Sequence, residues 1–239
     1  MKLKRAFVLL SGGIDSTTCL YMALSEFGSQ NVIAYGVDYG QRHSKEIDAA
    51  TKICAQTRVK YRTTMMYSPS SMLTNEDADI PDVSYDELPE GISPTYVPFR
   101  NGTMLSLLTM KAQEWVMIME DKSLTGSLFP VQAEATLFFG AHAEDAARDA
   151  YPDCSPEFIG SIASAIQIGT YGKVRLRAPL TYMTKRDVIL AGDVLGARYD
   201  LTWSCYKGEE KHCGVCPTCR ARKQAFISAG VADPTEYAA

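Results

Sequence analysis

Residues 6–20 read AFVLLSGGIDSTTCL, and the fold turns on how that stretch is parsed. Ala6 to Leu10 is an unbroken apolar run of the length of a fully buried strand. Ser11, Gly12 and Gly13 interrupt it, and from Asp15 onward the residues suit the opening of a helix. Glycines between a strand and a helix start leave backbone N–H groups free to point inward at an anion, because no side chain obstructs the approach. A P-loop would need Lys followed by Ser or Thr after its last glycine, and the first lysine after this loop is Lys45. The stretch therefore reads as a phosphate hollow of another kind. Ser11, Ser16, Thr17 and Thr18 add hydroxyl donors, and the Asp15 carboxylate calls for a cation, Mg2+, between itself and the phosphates.

The surroundings repeat the strand–helix alternation. A helix over Asp15 to Phe27 should stop at Gly28. NVIAYGVDYG predicts a second strand ending near Asp38, and a helix over Ser44 to Thr57 puts Ile47, Ala50 and Cys54 on one face. KYRTTMM predicts a third strand. The polar, Pro- and Gly-containing stretch from Tyr67 to Pro98 is a long functional loop. Met104, Leu105, Leu108, Ala112 and Trp115 then recur at helical spacing, TLFFGAH predicts a strand, and Ser155-Pro156 a helix start. Val174 to Arg177 is a further strand, and Thr184 with Asp187 has capping-box spacing ahead of a helix ending at Gly196. Alternating strands and helices imply an α/β fold, a Rossmann-like parallel sheet with helices on both faces. Such sheets bind ligands beyond the carboxyl ends of their strands, which is where Ser11 to Ser16 and Asp38 to His43 belong.

Composition narrows the function. A net charge of −4 over 239 residues supplies no general attraction for nucleic acid or an anionic membrane. The chain has no apolar run of the ~20 residues that cross a bilayer, and its start is too short in apolar residues for a secretory signal. A cytoplasmic setting is expected, and with it seven cysteines that serve as buried thiols or metal ligands rather than disulfides. WSCYKGEEKHCGVCPTC brings Cys205 together with Cys213, Cys216 and Cys219 in two overlapping C-x-x-C steps. Four soft ligands in that pattern suit a closed, structural Zn2+ site. Iron–sulfur ligation uses related spacing, and His212 is an alternative to one thiolate. Cys19, Cys54 and Cys154 stand apart. Residues 1–200 are expected to form the main domain, and 201–239 a metal-binding segment packed on it.

SGGIDST resembles the signature of the N-type ATP pyrophosphatases, which cleave ATP between its α- and β-phosphates and adenylate an acceptor oxygen. The resemblance implies an adenine nucleotide alpha hydrolase-like fold. It also implies an ATP-binding stretch of Leu10, Ser11, Gly12, Gly13, Ile14, Asp15, Ser16, Thr17, Thr18, Cys19 and Leu20, helped by Lys185 from LTYMTKRDV. Further blocks narrow it: VDYGQRHSKEIDAA, YVPFRN (Tyr96 to Asn101), YPDCSPEF (Tyr151 to Phe158), and LTWSCYKG with CGVCPTCRAR. In this order they resemble the 7-cyano-7-deazaguanine synthase family over almost the whole chain.

That resemblance implies a homodimer that uses ATP, Mg2+ and Zn2+ to convert 7-carboxy-7-deazaguanine and ammonia to a nitrile. It points to Asp15, Ser16, Lys185 and Arg100 as catalytic residues and to Arg42, Asn101, Tyr151 and Asp153 as substrate-binding ones, with Gln41 and His43 behind them. Asp153 would face the guanine-like edge and Arg100 a carboxylate or phosphate. The chain departs from the family pattern at Ser155, where Arg is usual, and at Phe99, where a small residue is common. Rival readings are a ligase that stops at the amide, a tRNA-thiolating pyrophosphatase, and a zinc module binding nucleic acid through Arg220 to Lys223.

Overall fold

The computed structural model describes residues 2–38, 44–65, 96–121, 126, 130–146 and 151–238. Its strands are β1 (Lys2–Leu9), β2 (Val32–Asp38), β3 (Lys60–Met65), β4 (Gln132–Phe138) and β5 (Val174–Arg177). The main helices are α1 (Ile14–Phe27), α2 (Lys45–Thr57), α3 (Arg100–Glu120), the single turn α4 (Ala143–Ala146), α5 (Pro156–Gly169), α6 (Lys185–Val194) and α7 (Pro217–Ala229). Among the described residues the strands form one sheet in the order β3-β2-β1-β4-β5, with every pairing parallel. This is the Rossmann-like architecture expected from the alternation.

Strand alternation builds two cores. Ala6 and Val8 of β1 face one side, with Leu20, Ile53, Ile189 and Phe226 of α1, α2, α6 and α7. Phe7 and Leu9 face the other, with Leu105 and Leu108 of α3 and Ile159 and Ile166 of α5. A strand covered on both faces must be apolar at every position, which is why the end of β1 is a continuous run.

Three elements differ in detail from expectation. β1 starts at Lys2 rather than Ala6, because its first residues pair with Gln132 to Glu134 while their side chains remain partly solvated. On α2 the buried stripe is Ala49, Ala50, Ile53 and Cys54, and Ile47 lies at its half-buried margin. The strand in TLFFGAH ends at Phe138, where its neighbour β1 passes into the glycine loop. Gly140, Ala141 and His142 therefore form a loop at the carboxyl end of β4. Of the long polar segment, residues 67–95 lie outside the described residues, as do Gln41, Arg42 and His43, while residues 96–98 are described.

The chain runs from β1 to β2 and β3 on one side, whereas β4 and β5 lie on the other. β1 and β4 thus flank the point where the winding reverses, the crevice in which open α/β sheets place ligands. Gly140 permits the crevice to close: a Cβ there would stand 3.0 Å from the Asp15 carbonyl carbon and the Ser16 nitrogen.

Candidate active site

Ser11 to Ser16 forms a tight hollow at the tip of β1. Gly12 sits at φ +89°, and a Cβ on it would come within 2.4 Å of the Glu46 carbonyl oxygen. The N-cap of α1 is Gly13, whose side-chain-free position leaves the first-turn amides uncapped by any side chain. Those amides and the helix dipole make the hollow electropositive. The Ser11 N–H donates to the Ser16 hydroxyl at 3.2 Å, the two hydroxyls lie 3.0 Å apart, and the Ser16 hydroxyl also donates to the Gly13 carbonyl at 3.2 Å. Thr18 is a correction to the hydroxyl count: it is fully buried, donates to the Ile14 carbonyl and shares a 2.8 Å hydrogen bond with Tyr199. Leu10, Thr17, Cys19 and Leu20 are also buried. Ser11 and Ser16 remain as the hydroxyls of the hollow.

Asp15 stands at its mouth and meets residues from two distant elements. Lys185 at the start of α6 donates to Asp15 Oδ2 at 2.7 Å, and its Nζ lies 3.7 Å from Asp145 Oδ1. The capping box predicted at Thr184 and Asp187 is present and fixes where α6, and hence Lys185, begins. Burial acts to raise the Asp15 carboxyl, but the Lys185 ammonium and its hydrogen bond outweigh it and hold the carboxyl below the usual carboxylate range. A second group of predicted site residues comes from α3 and the turn before α5. The Asn101 N–H donates to Asp153 Oδ2 at 2.9 Å, and Asp153 is only 4% exposed. The rings of Tyr96 and Tyr151 lie 6.4 Å apart, and Phe99 meets Phe158 edge-on at 5.8 Å. Phe99 holds φ +54° at the N-cap of α3, and Ser155 caps α5 by accepting from the Phe158 N–H.

Cys154 lies beside Asn101, whose Nδ2 is 3.3 Å from its sulfur. Burial pushes the Cys154 thiol up, Asp145 and Asp153 push further, and Arg100 and Lys185 oppose them. Cys19 and Cys54 are likewise raised by burial, Cys54 to about 12, so neither is a ready thiolate. His142 was missed in the sequence because the strand pattern ran through it. It is fully buried, with Nε2 3.2 Å from Asp145 Oδ2 and 3.8 Å from Asp15 Oδ2.

Cys205, Cys213, Cys216 and Cys219 are all buried, with ligand atoms within 4.8 Å of one another. Four thiolates about 2.3 Å from a tetrahedral ion stand about 3.8 Å apart, and the Cys213 and Cys219 sulfurs are separated by 3.9 Å. The N–H groups of Lys207 and Cys213 donate to the Cys205 sulfur, and that of Cys216 to Cys213. His212 is turned elsewhere: its Nε2 accepts from the Ser204 N–H at 3.1 Å while its ring stacks on Trp203. The site therefore offers four sulfurs to a metal. The cluster is fastened to the hollow, since the Trp203 N–H donates to the Gly12 carbonyl at 2.9 Å. Arg222, counted above in a basic stretch, is only 3% exposed and bonds to Thr202, Ser204, Thr235 and the Tyr199 carbonyl. It does not belong to a nucleic-acid face.

A parallel sheet with a glycine hollow at its winding reversal, and no P-loop lysine after the glycines, defines a Rossmann-like α/β protein whose anion hollow is of another kind than the P-loop. A family model described as "Queuosine biosynthesis protein QueC" matches residues 5–120 and 122–230. The chain belongs to that family. It is 37% identical to the 7-cyano-7-deazaguanine synthase of Thermoplasma acidophilum, over 99% of this chain and 93% of that protein. Identity is 38% to the Caldicellulosiruptor bescii synthase, over 98% and 97%, and 39% to that of Ralstonia pickettii, over 98% and 99%.

Proposed function

We propose that this protein is an ATP-dependent, carbon–nitrogen bond-forming ligase that converts 7-carboxy-7-deazaguanine and ammonia to 7-cyano-7-deazaguanine. The observation that carries the reading is the convergence of Lys185 and Asp15 at the mouth of an uncapped helix N-terminus. A carboxylate is a poor electrophile because oxide is a poor leaving group. Adenylation replaces it with a phosphate-based leaving group that ammonia displaces to give an amide. A second adenylation activates the amide oxygen, which leaves as the C≡N bond forms.

The chain's residues divide that work. The first-turn amides of α1, with Ser11 and Ser16, hold the β- and γ-phosphates and stabilise the charge that develops on pyrophosphate. Lys185 turns its ammonium between Asp15 and the phosphates. Mg2+ would be held by Asp15, whose Oδ1 is buried without a hydrogen-bond partner, and would supply further neutralisation of the departing charge. Asp153 accepts hydrogen bonds from the base edge with the oxygen not committed to Asn101, and Tyr151 lies against the base plane. Arg100 and Arg42 neutralise the carboxylate before its activation. Zn2+ on the four cysteines is structural, since four protein ligands leave no open position.

The test supplies purified protein with ATP, Mg2+, ammonia and 7-carboxy-7-deazaguanine and follows products by mass spectrometry. Nitrile together with AMP is expected. ADP with orthophosphate overturns the reading, and an amide that persists without nitrile replaces it with an amide-forming ligase.

A further inference from the structure

Among the described residues of the crevice, His142 and its neighbour Asp145 have no part in the proposed reaction. His142 is fully buried, and neither ring nitrogen has a hydrogen-bond partner. An imidazole shut away from water with both nitrogens unsatisfied is costly. Its Nε2 nevertheless points into a gap bounded by Asp145 Oδ2 at 3.2 Å and Asp15 Oδ2 at 3.8 Å. A second orphan lies beside it, the buried Asp15 Oδ1.

The spacing is that of ligands around a common ion. With bonds of about 2.1 Å, two octahedral ligands lie about 3.0 Å apart at a right angle and about 4.2 Å apart when opposed. Both measured separations fall in that interval, and the ligand atoms of all three residues lie within 4.8 Å of one another. They come from the first turn of α1 (Asp15), the loop after β4 (His142) and the turn α4 (Asp145). The backbone orients the last two, because the Asp145 N–H donates to the His142 carbonyl at 3.1 Å. Lys185 already brings one positive charge to the two carboxylates, with Nζ 2.7 Å from Asp15 Oδ2. A single ammonium there balances only one of the two carboxylates and leaves the imidazole lone pair unused. A dication uses all three donors.

We propose that Asp15, His142 and Asp145 form a site for a first-row transition-metal dication, occupied before any nucleotide binds. One imidazole with two carboxylates is a mixed set that suits Mn2+ better than Mg2+, which prefers oxygen donors and retains its waters. The site shares Asp15 with the proposed ATP hollow, but its filling does not depend on that reading. When ATP arrives, Lys185 is the group that must yield, exchanging Asp15 for phosphate.

The experiment uses the full chain with its cysteine cluster loaded with Zn2+ and no nucleotide. Mn2+ is titrated in while the electron paramagnetic resonance signal of free Mn2+ reports uptake. One Mn2+ per chain is expected, resisting a tenfold excess of Mg2+. His142→Gln and, independently, Asp145→Asn should each weaken uptake about tenfold or more, the scale on which such metal sites respond. Lys185→Met, which removes the competing charge, should tighten it severalfold. Absence of Mn2+ uptake by the wild-type chain overturns the proposal, as does uptake that both ligand variants leave unchanged. Should His142→Gln fail to fold, Asp145→Asn and Lys185→Met carry the decision by moving affinity in opposite directions. Failure here is read from metal binding, whereas failure of the ATP reading is read from AMP release, so the two are separable.

Discussion

At the scale of single residues, the two glycines of the hollow have different reasons to be glycine. Gly12 is squeezed against α2 and holds a left-handed φ of +89°, whereas a Cβ on Gly13, at φ −80°, would meet its nearest neighbour, the Ser11 hydroxyl, only at 3.6 Å. Gly12→Ala should therefore cost about 2–4 kcal/mol by combining backbone strain with overpacking. Gly13→Ala should stay within about 0.5 kcal/mol in stability, and urea unfolding of the two variants separates them. Equal costs would mean that the α2 contact does not constrain the loop. Asp153 invites a second substitution. Asn in its place keeps an oxygen for the Asn101 N–H but exchanges acceptors for donors toward the base. Asp153→Asn should weaken substrate binding about tenfold or more, with ATP affinity unchanged in the same titration calorimetry; equal substrate affinity would remove Asp153 from the base-binding wall. The glycine hollow and the cysteine pattern could be seen in sequence because each is a local requirement, met within a few residues. His142 could not, since an apolar strand followed by Gly-Ala-His looks like more strand until β1 stops beside it. Nor could the bond between Thr18 and Tyr199, whose partners lie 181 positions apart.

At the scale of elements, the sheet was legible because β1 and β2 are buried on both faces and leave continuous apolar runs. Helix faces were less so: Ile47 and Ala50 share a stripe on α2 whose centre lies nearer Ile53 once α2 docks on the loop. One contact binds α3 to the sheet through a single carboxylate. Glu120 Oε1 accepts from the Ala133 N–H at 2.9 Å and from Lys173 Nζ at 2.7 Å, joining the end of α3 to the starts of β4 and β5. Burial acts to raise this carboxyl, yet the Lys173 and Ala133 hydrogen bonds outweigh it and hold it below the usual range. A depressed carboxyl stabilises the fold fully above its unfolded value of about 4.3, and that stabilisation is lost as pH falls through the folded value. Glu120→Gln should cost about 1 kcal/mol at pH 7 and progressively less toward pH 3. Urea midpoints of both proteins at the two pH values provide the check; a deficit that does not shrink on acidification would assign the effect to packing instead of charge.

At the scale of the whole molecule, the cysteine cluster and the glycine hollow are one mechanical unit. Trp203 is the joint: its N–H donates to the Gly12 carbonyl, its indole N–H donates to the Cys205 carbonyl at 2.8 Å, and His212 stacks on its ring at 4.3 Å. A metal on the cysteines would therefore hold Trp203, and Trp203 holds the glycine loop that the proposed function assigns to the phosphates. The rest of the C-terminal region has independent anchors. Phe226 is buried in the core with α1 and α6, and Arg222 pins the Tyr199 carbonyl and Thr202. Stripping the metal should thus loosen the stretch around Trp203 while the fold persists. With a strong chelator, far-UV circular dichroism should change little, and Trp203 emission should shift to the red. Trp115→Phe isolates that signal, since the chain has two tryptophans and Trp115 lies against Phe7. ATP affinity should fall about tenfold, the worth of roughly one lost backbone hydrogen bond of 1.4 kcal/mol, and return when Zn2+ is restored. If ATP affinity survived chelation while Trp203 moved, the hydrogen bond to Gly12 would be incidental and the hollow would hold its shape through the contacts of α1 and α2 alone.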